Sequence, residues 1–429
     1  MNCSVERLEQ RLQTELGRDC VAVGSDIRAA HVIDGHVPAL VCSPGYPEQA
    51  AAVLRVCADA KAPVASWGGG TAVAVGNIPR AACVVLDLVG LNRVIDHDHA
   101  NLTITVQSGA TLQSLQETLS CRQQFVPIDA PHPGKATIGG TVAVDINGPR
   151  RGYYGGIRDL IIGMKAALMT GEQIKAGGKV VKNVAGYDMC KLFAGSLGTL
   201  GVMIEVTVRV APIPETTATL VASGRFRDFN EFAERLSGAP LIPSSVVITN
   251  THAQNSDDNW QCALCCEGFA KAVNRQLSDG GTMAREVALG TEILEGADHK
   301  ALWRTIRDFP LQVDRTIVRA TVPRTAVKNF IPAVKRTLAP MPAIIADMMI
   351  GTVWLSWPAT ETTAALWPNV LSLAAAHGGH ATMFSAPHQF KKGIDVWGPA
   401  PASLPVMRAL KHQFDPEGLL NPGRFVAGI

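Results

Sequence analysis

At 429 residues the chain is long enough for two or three domains, each with its own core. Lys and Arg total 39 against 37 Asp and Glu, a net charge of +2, which excludes the dense basic surface that a nucleic-acid backbone requires. No apolar run reaches the roughly 18 residues of a membrane-crossing helix, and the charged opening MNCSVERLEQ reads as a helix rather than a secretory signal. The expectation is a cytoplasmic chain, with any membrane association peripheral and made through a complex.

Val5, Leu8, Leu12 and Leu16 fall at helical spacing and predict an amphipathic helix over 5–17. A strand at 39–42, a helix at 49–60 and a strand at 64–66 follow. That last strand runs directly into Trp67-Gly68-Gly69-Gly70-Thr71. Three consecutive glycines remove every Cβ from a bend, so backbone N–H groups can approach an anion such as a pyrophosphate. The stretch fits neither the GxGxxG dinucleotide fingerprint nor the GxxxxGK[ST] phosphate loop, and a glycine triplet alone is more often a plain turn.

Strands are expected at 82–86 and 102–106, then a helix at 111–119 and a proline-rich loop over 127–134. Thr137-Ile138-Gly139-Gly140-Thr141 is a second glycine site, leading through an alternating apolar stretch to Asn147-Gly148-Pro149 and Tyr153-Tyr154-Gly155-Gly156. A strand is read over 159–169. A third glycine-dense stretch runs from Gly177 to Gly201 and includes Lys182, Tyr187 and Gly195-Ser196-Leu197-Gly198-Thr199-Leu200-Gly201. The strand 202–210 closes this half at Pro212-Ile213-Pro214.

From about residue 214 strands and helices interleave without parallel-sheet regularity, which predicts an α+β domain with an antiparallel sheet. Pro332 and Pro368 are expected to kink helices at 326–337 and 360–376. The scattered Arg324, Lys328 and Lys335, and the pair Lys391-Lys392, read as solvated faces. Of ten cysteines only Cys262, Cys265 and Cys266 cluster. No second pair or neighbouring His completes a metal site, so none is assigned, and the cluster reads as a helix start with two core thiols. The chain ends in FDPEGLLNPGR, a run of turns whose unpaired backbone groups suit the sealing of a site.

WGGGT, TIGG with NG and YGG-x-RD, KVVKNVAGYD-x-x-KL-x-x-GSLGTLG and the terminal FDPEGLLNPGR occur in this order at these separations. Together they resemble the vanillyl-alcohol-oxidase/PCMH superfamily of FAD-binding flavoproteins, and within it the FAD-binding subunits of bacterial glycolate oxidase (GlcE-like) and the D-lactate and glycolate dehydrogenases. The resemblance covers about residues 38–214 and the last twenty, and the middle poorly. It implies an N-terminal lead-in over 1–36, a two-subdomain α+β FAD-binding domain over 37–214, an α+β cap or partner-binding domain over 215–405, and a segment over 406–429 returning to the FAD site.

It also implies site residues. Trp67 to Thr71, with Ala72, would wrap the FAD pyrophosphate. His132, Pro133, Thr137, Gly139 and Gly140 match the segment beside the isoalloxazine and ribityl groups. Asn147, Gly148, Tyr154 and Gly155 would complete that wall. Gly195, Gly198, Gly201 and Val202 match the adenine end, and Asn421 the terminal contact towards the flavin. His380, in Ala376-His377-Gly378-Gly379-His380, is the candidate base, although the motif lacks the further His and the acidic residue of the metal-binding pattern in catalytic relatives.

The function implied is an FAD-binding subunit of a glycolate oxidase complex, passing electrons from a 2-hydroxy acid towards an iron–sulfur subunit alongside a larger FAD-binding subunit. A self-sufficient 2-hydroxy-acid dehydrogenase and a non-catalytic assembly subunit are the alternatives.

Overall fold

A computed structural model describes residues 5–179, 186–251 and 260–429. The chain divides into two units, the first comprising 1–147, 156–212 and 391–429, the second 148–155 and 213–390.

The first unit opens with α1 (Val5–Leu16), whose Leu8, Leu12 and Leu16 are buried, as their spacing requires. Two short strands, β1 (Val21–Ala22) and β2 (Leu40–Cys42), precede α2 (Pro47–Asp59), β3 (Val64–Trp67) and β4 (Val84–Asp87). Their sheet has the order β1-β2-β4-β3, with β2, β4 and β3 parallel. Parallel strands buried on both faces read as continuous apolar runs, which is why Val84, Val85 and Leu86 are all inaccessible.

A second sheet, wholly antiparallel, is built from β5 (Val94–Asp98), β6 (Thr103–Gln107), β7 (Ile161–Ala167), β8 (Gln173–Gly177) and β9 (Val202–Arg209), in the order β5-β6-β9-β7-β8. Between β6 and β7 lie α3 (Leu112–Ser120), capped by Thr111, and α4 (Ile138–Val144), capped by Thr137. The alternating apolar stretch after the second glycine site is thus a helix, not an extended segment. Ile138, Thr141 and Val142 are buried at i, i+3 and i+4, the spacing of one helical face. Residues 157–160 form one helical turn before β7, so the strand expected from 159 starts two residues later.

The second unit is one eight-stranded antiparallel sheet. In chain order its strands are β10 (Thr216–Gly224), β11 (Ser245–Thr249), β12 (Trp260–Gly268), β13 (Gly290–Leu294), β14 (Arg315–Thr321), β15 (Ala343–Asp347), β16 (Thr352–Pro358) and β17 (His380–Ser385). The spatial order is β13-β10-β12-β11-β15-β16-β14-β17. Helix α5 (Ala270–Glu286) packs on β10 and β12, and α6 (Val327–Thr337) carries Pro332 inside it without being broken. Pro368 instead opens a helix in its first turn, at Trp367–Ala376, where a proline's missing N–H costs nothing.

Two sequence readings are corrected here. Cys262, Cys265 and Cys266 lie on β12, not at a helix start, so Cys265 points to the opposite face from the other two. All three are buried, and burial pushes each thiol up to about 12, so they are core groups rather than thiolates. Lys391 is not on a solvated face: its side chain is wholly buried in the first unit. Among the described residues no helix is long and apolar enough to cross a membrane.

Candidate functional site

Strand β3 ends at Trp67, and Gly68 to Gly70 carry the chain away from its end. A Cβ on Gly68 would run into the Thr137 hydroxyl, and one on Gly69 into the Lys135 carbonyl. Gly70 has φ +70° and lies against the Trp67 ring, which also packs on His31 with centroids 4.9 Å apart. The triplet is therefore required by close backbone approach, since no side chain fits between the two loops.

Three further segments meet this loop within the first unit. Gly139 donates its N–H to the Ser108 carbonyl at 2.8 Å, and a Cβ there would strike the Ser108 side chain. Gly140 N–H is held by Thr137 Oγ1 at 3.2 Å, and Gly195 and Leu197 donate to the carbonyls of Val142 and Ala143 on α4 at 2.9 and 2.8 Å. Asn421, in the left-handed region at φ +46°, donates from Nδ2 to Ser66 Oγ at 2.9 Å and to the Gly198 carbonyl at 3.1 Å. Its own N–H goes to the Val64 carbonyl at 2.8 Å, and Leu420 bridges Val64, so the terminal segment extends the sheet beyond β3. The backbone groups expected to be unpaired there are paired at those positions.

Among the described residues the backbone N–H groups of Gly68 through Ala74 donate to no protein acceptor. An uninterrupted series of free amides on a glycine turn at a strand end is a nest for an anion. The buried hydroxyls of Ser108 and Ser196, beside Gly139 and within the third glycine stretch, also have no hydrogen-bond partner.

Other expected residues are placed less closely. His132 is exposed, at φ +53°, and its carbonyl accepts from Lys135 and Ala136 at the turn containing Pro133. Asn147 accepts the Asp129 N–H at 2.8 Å, at the end of the first unit. Gly201 and Val202 sit where β9 begins, with Gly201 against the Phe193 ring. Gly148, Tyr154 and Gly155 belong to the second unit, where burial pushes the Tyr154 phenol up, helped by the nearby Glu267 carboxylate. Tyr187 is 92% exposed, and Lys182 lies outside the described residues.

His380 begins β17, the outer strand of the second unit's sheet, opposite Thr321 on β14. It is exposed overall, but partial loss of solvent around the imidazole and the Arg319 guanidinium push its pKa down, favouring the neutral imidazole. Arg319 lies on the same face of β14, with its guanidinium 5.9 Å from the Trp354 ring centroid and 5.2 Å from that of Phe384. Sequence reasoning missed Arg319, and likewise Ser66, Ser108, Lys391 and Asp34. No local pattern marks them, because each takes its meaning from a segment distant in the chain.

A family model described as an FAD binding domain matches residues 38–177. The fold is that of p-cresol methylhydroxylase with substrate bound, at a TM-score of 0.76 and 15% identity over 99% of this chain and 97% of that one. Alkyldihydroxyacetonephosphate synthase superposes with a TM-score of 0.75 at 15% identity, covering 97% and 84%. The chain is thus similar to FAD-binding proteins over residues 38–177, and it shares the fold of these solved structures along nearly its whole length.

The chain is 27% identical to glycolate oxidase subunit GlcD of Bacillus subtilis, over 91% of this chain and 89% of that protein. It is 29% identical to glycolate oxidase subunit GlcE of Escherichia coli, over 78% and 85%. A D-lactate dehydrogenase of Anaerostipes hadrus is 35% identical over 41% and 36%. The cofactor is FAD, and the residues present fit it: the free amides of Gly68 to Ala74 suit its diphosphate.

Proposed function

We propose that the chain is an FAD-dependent dehydrogenase of small 2-hydroxy acids, of the glycolate or D-lactate class. The observation that carries the FAD part is the series of free amides from Gly68 to Ala74, gathered with Ser66, Gly198 and Asn421. The substrate class is supported by relatives named for glycolate and D-lactate, one of which spans nine-tenths of the chain.

Oxidising a 2-hydroxy acid to a 2-oxo acid removes the hydroxyl proton, and the α-hydrogen with two electrons. When bound, FAD would supply the two-electron acceptor that this hydrogen requires. The protein must supply a cation for the carboxylate and a base for the hydroxyl proton. In this reading Arg319 is the cation, its guanidinium 5.9 Å from the Trp354 ring centroid and 5.2 Å from that of Phe384. His380, on the same sheet face and kept neutral, receives the proton.

A second reading, supported by the match to GlcE, makes the chain one subunit of a glycolate oxidase complex. In that reading, which rests on the motif resemblance, bound FAD would relay electrons towards an iron–sulfur subunit beside a larger flavoprotein subunit. The two are separated by adding glycolate or D-lactate, without air, to the purified chain carrying FAD. Bleaching of the flavin's visible band without any partner supports independent catalysis. Bleaching only after partner subunits are added supports the complex.

A further inference from the structure

Residues 73–77, which continue the loop from Gly68 to Ala72, rest on a buried charged cluster made of three distant parts of the chain. Lys391 Nζ donates to Asp34 Oδ2 at 2.7 Å, to the Ala74 carbonyl at 2.9 Å and to the Gly76 carbonyl at 3.1 Å. Arg424 donates to the same Asp34 oxygen at 3.2 Å, to the Val73 carbonyl at 2.7 Å and to the Val75 carbonyl. Four successive carbonyls are thus taken alternately by two cations. Gly76, at φ +94°, lies against the Arg424 carbonyl, which itself accepts the Asn77 N–H at 2.9 Å.

We propose that Lys391, Arg424 and Asp34 are positioning residues for the diphosphate of FAD, acting through this loop. The inference rests on the FAD reading of the site and adds what aims its amides. In a trans peptide the carbonyl and the following N–H point in opposite directions. Drawing the carbonyls of residues 73–76 onto the cluster turns the next four amides away from it. Val75 N–H is then taken by the Ala72 carbonyl and Asn77 N–H by that of Arg424, while Ala74 and Gly76 N–H stay free beside the amides of Gly68 to Val73.

The charge acts in the same direction. Two cations share one carboxylate, and the Arg424 side chain is 9% exposed, that of Asp34 4% and that of Lys391 0%. This buried excess of one positive charge is screened far less than a surface charge and favours an anion on the free amides. Neutralising Lys391 removes the excess and loosens two of the four carbonyls.

The test is FAD binding to the apoprotein by calorimetry, with wild type, Lys391→Met and Lys391→Arg. At pH 7, Lys391→Met is expected to bind FAD about tenfold or more weakly, as befits a lost charge-assisted contact, and Lys391→Arg within about threefold of wild type. Burial holds the Lys391 ammonium down to about 8, Asp34 being the favourable and Arg424 the unfavourable charge facing it. An anion that favours the protonated lysine must lose affinity as that proton leaves, so wild-type affinity falls between about pH 7 and pH 9. An arginine at position 391 has no proton to lose in that range, so Lys391→Arg has no such fall.

Lys391→Met binding FAD like wild type, or Lys391→Arg keeping the wild-type pH profile, overturns the proposal. The arginine variant decides it even where the methionine variant does not fold. A wild-type protein that binds no FAD overturns the reading of the site instead.

Discussion

Single residues decide this site by what they lack as much as by what they carry. Gly69 has no room for a methyl group, because the Lys135 carbonyl occupies that space. Gly69→Ala must displace one of two backbones, at a cost of about 1–3 kcal/mol, and it moves the free amides with it. Thermal unfolding should show the lost stability, and a fluorescence titration should show FAD affinity reduced at least about tenfold. A variant with unchanged FAD affinity contradicts the close packing. Asp347, at the turn after β15, shows the opposite problem, a charge with too little water. It is 4% exposed, and burial lifts its carboxyl from 3.8 to about 7, although it accepts the Met349 N–H at 2.9 Å. A carboxyl whose folded pKa is raised contributes stability that is complete below its unfolded pKa and is lost as pH rises through the folded one. Stability should therefore fall between about pH 4 and pH 7 by at most about 4 kcal/mol, and Asp347→Asn should flatten that part of the denaturation profile. An identical slope in the variant would assign the pH dependence to other groups.

At the scale of elements, the terminal segment closes the first unit by pairing with the edge of β3. The helix Leu404–Phe414 leads into it, and Lys411 fixes the join. Its Nζ donates to the Thr199 carbonyl at 2.8 Å, to Asp415 Oδ2 at 2.6 Å and to the Leu420 carbonyl at 2.9 Å. Asp415 is 1% exposed, so Lys411→Met leaves a buried carboxylate without its cation and should cost about 3–5 kcal/mol in chemical denaturation. A loss under about 1 kcal/mol would show that the segment is held by its backbone pairing alone. What was legible in the sequence also divides at this scale. The amphipathic α1, the strands around WGGGT and the long β9 were readable because periodicity is local. Helix α4 was not predicted because TIGGTVAV alternates, and only the Thr137 cap and the burial of Ile138, Thr141 and Val142 decide for a helix. The cysteine cluster was misread because β12 is buried on both faces at Cys262 to Cys266, so no alternation shows.

For the whole molecule, the α+β class was legible in the interleaving of strands and helices, and the cofactor only through the family resemblance that the ordered glycine motifs carry. The charged groups beneath the loop were not legible. Lys391 is separated by more than 300 positions from the Asp34, Ala74 and Gly76 atoms that define it, and a pair of lysines is locally indistinguishable from a solvated face. The same holds for Arg319, whose aromatic neighbours come from two other strands. The account rests on the FAD site of the first unit. Its central claim is that this chain itself oxidises a 2-hydroxy acid. The most direct measurement is the visible spectrum of the purified, partner-free protein with FAD, taken without air before and after glycolate or D-lactate. The account predicts bleaching of the flavin band by at least one of the two acids, lost in Arg319→Met while FAD stays bound. A wild-type spectrum unchanged by both acids, with the flavin still bleached by a chemical reductant, would contradict it.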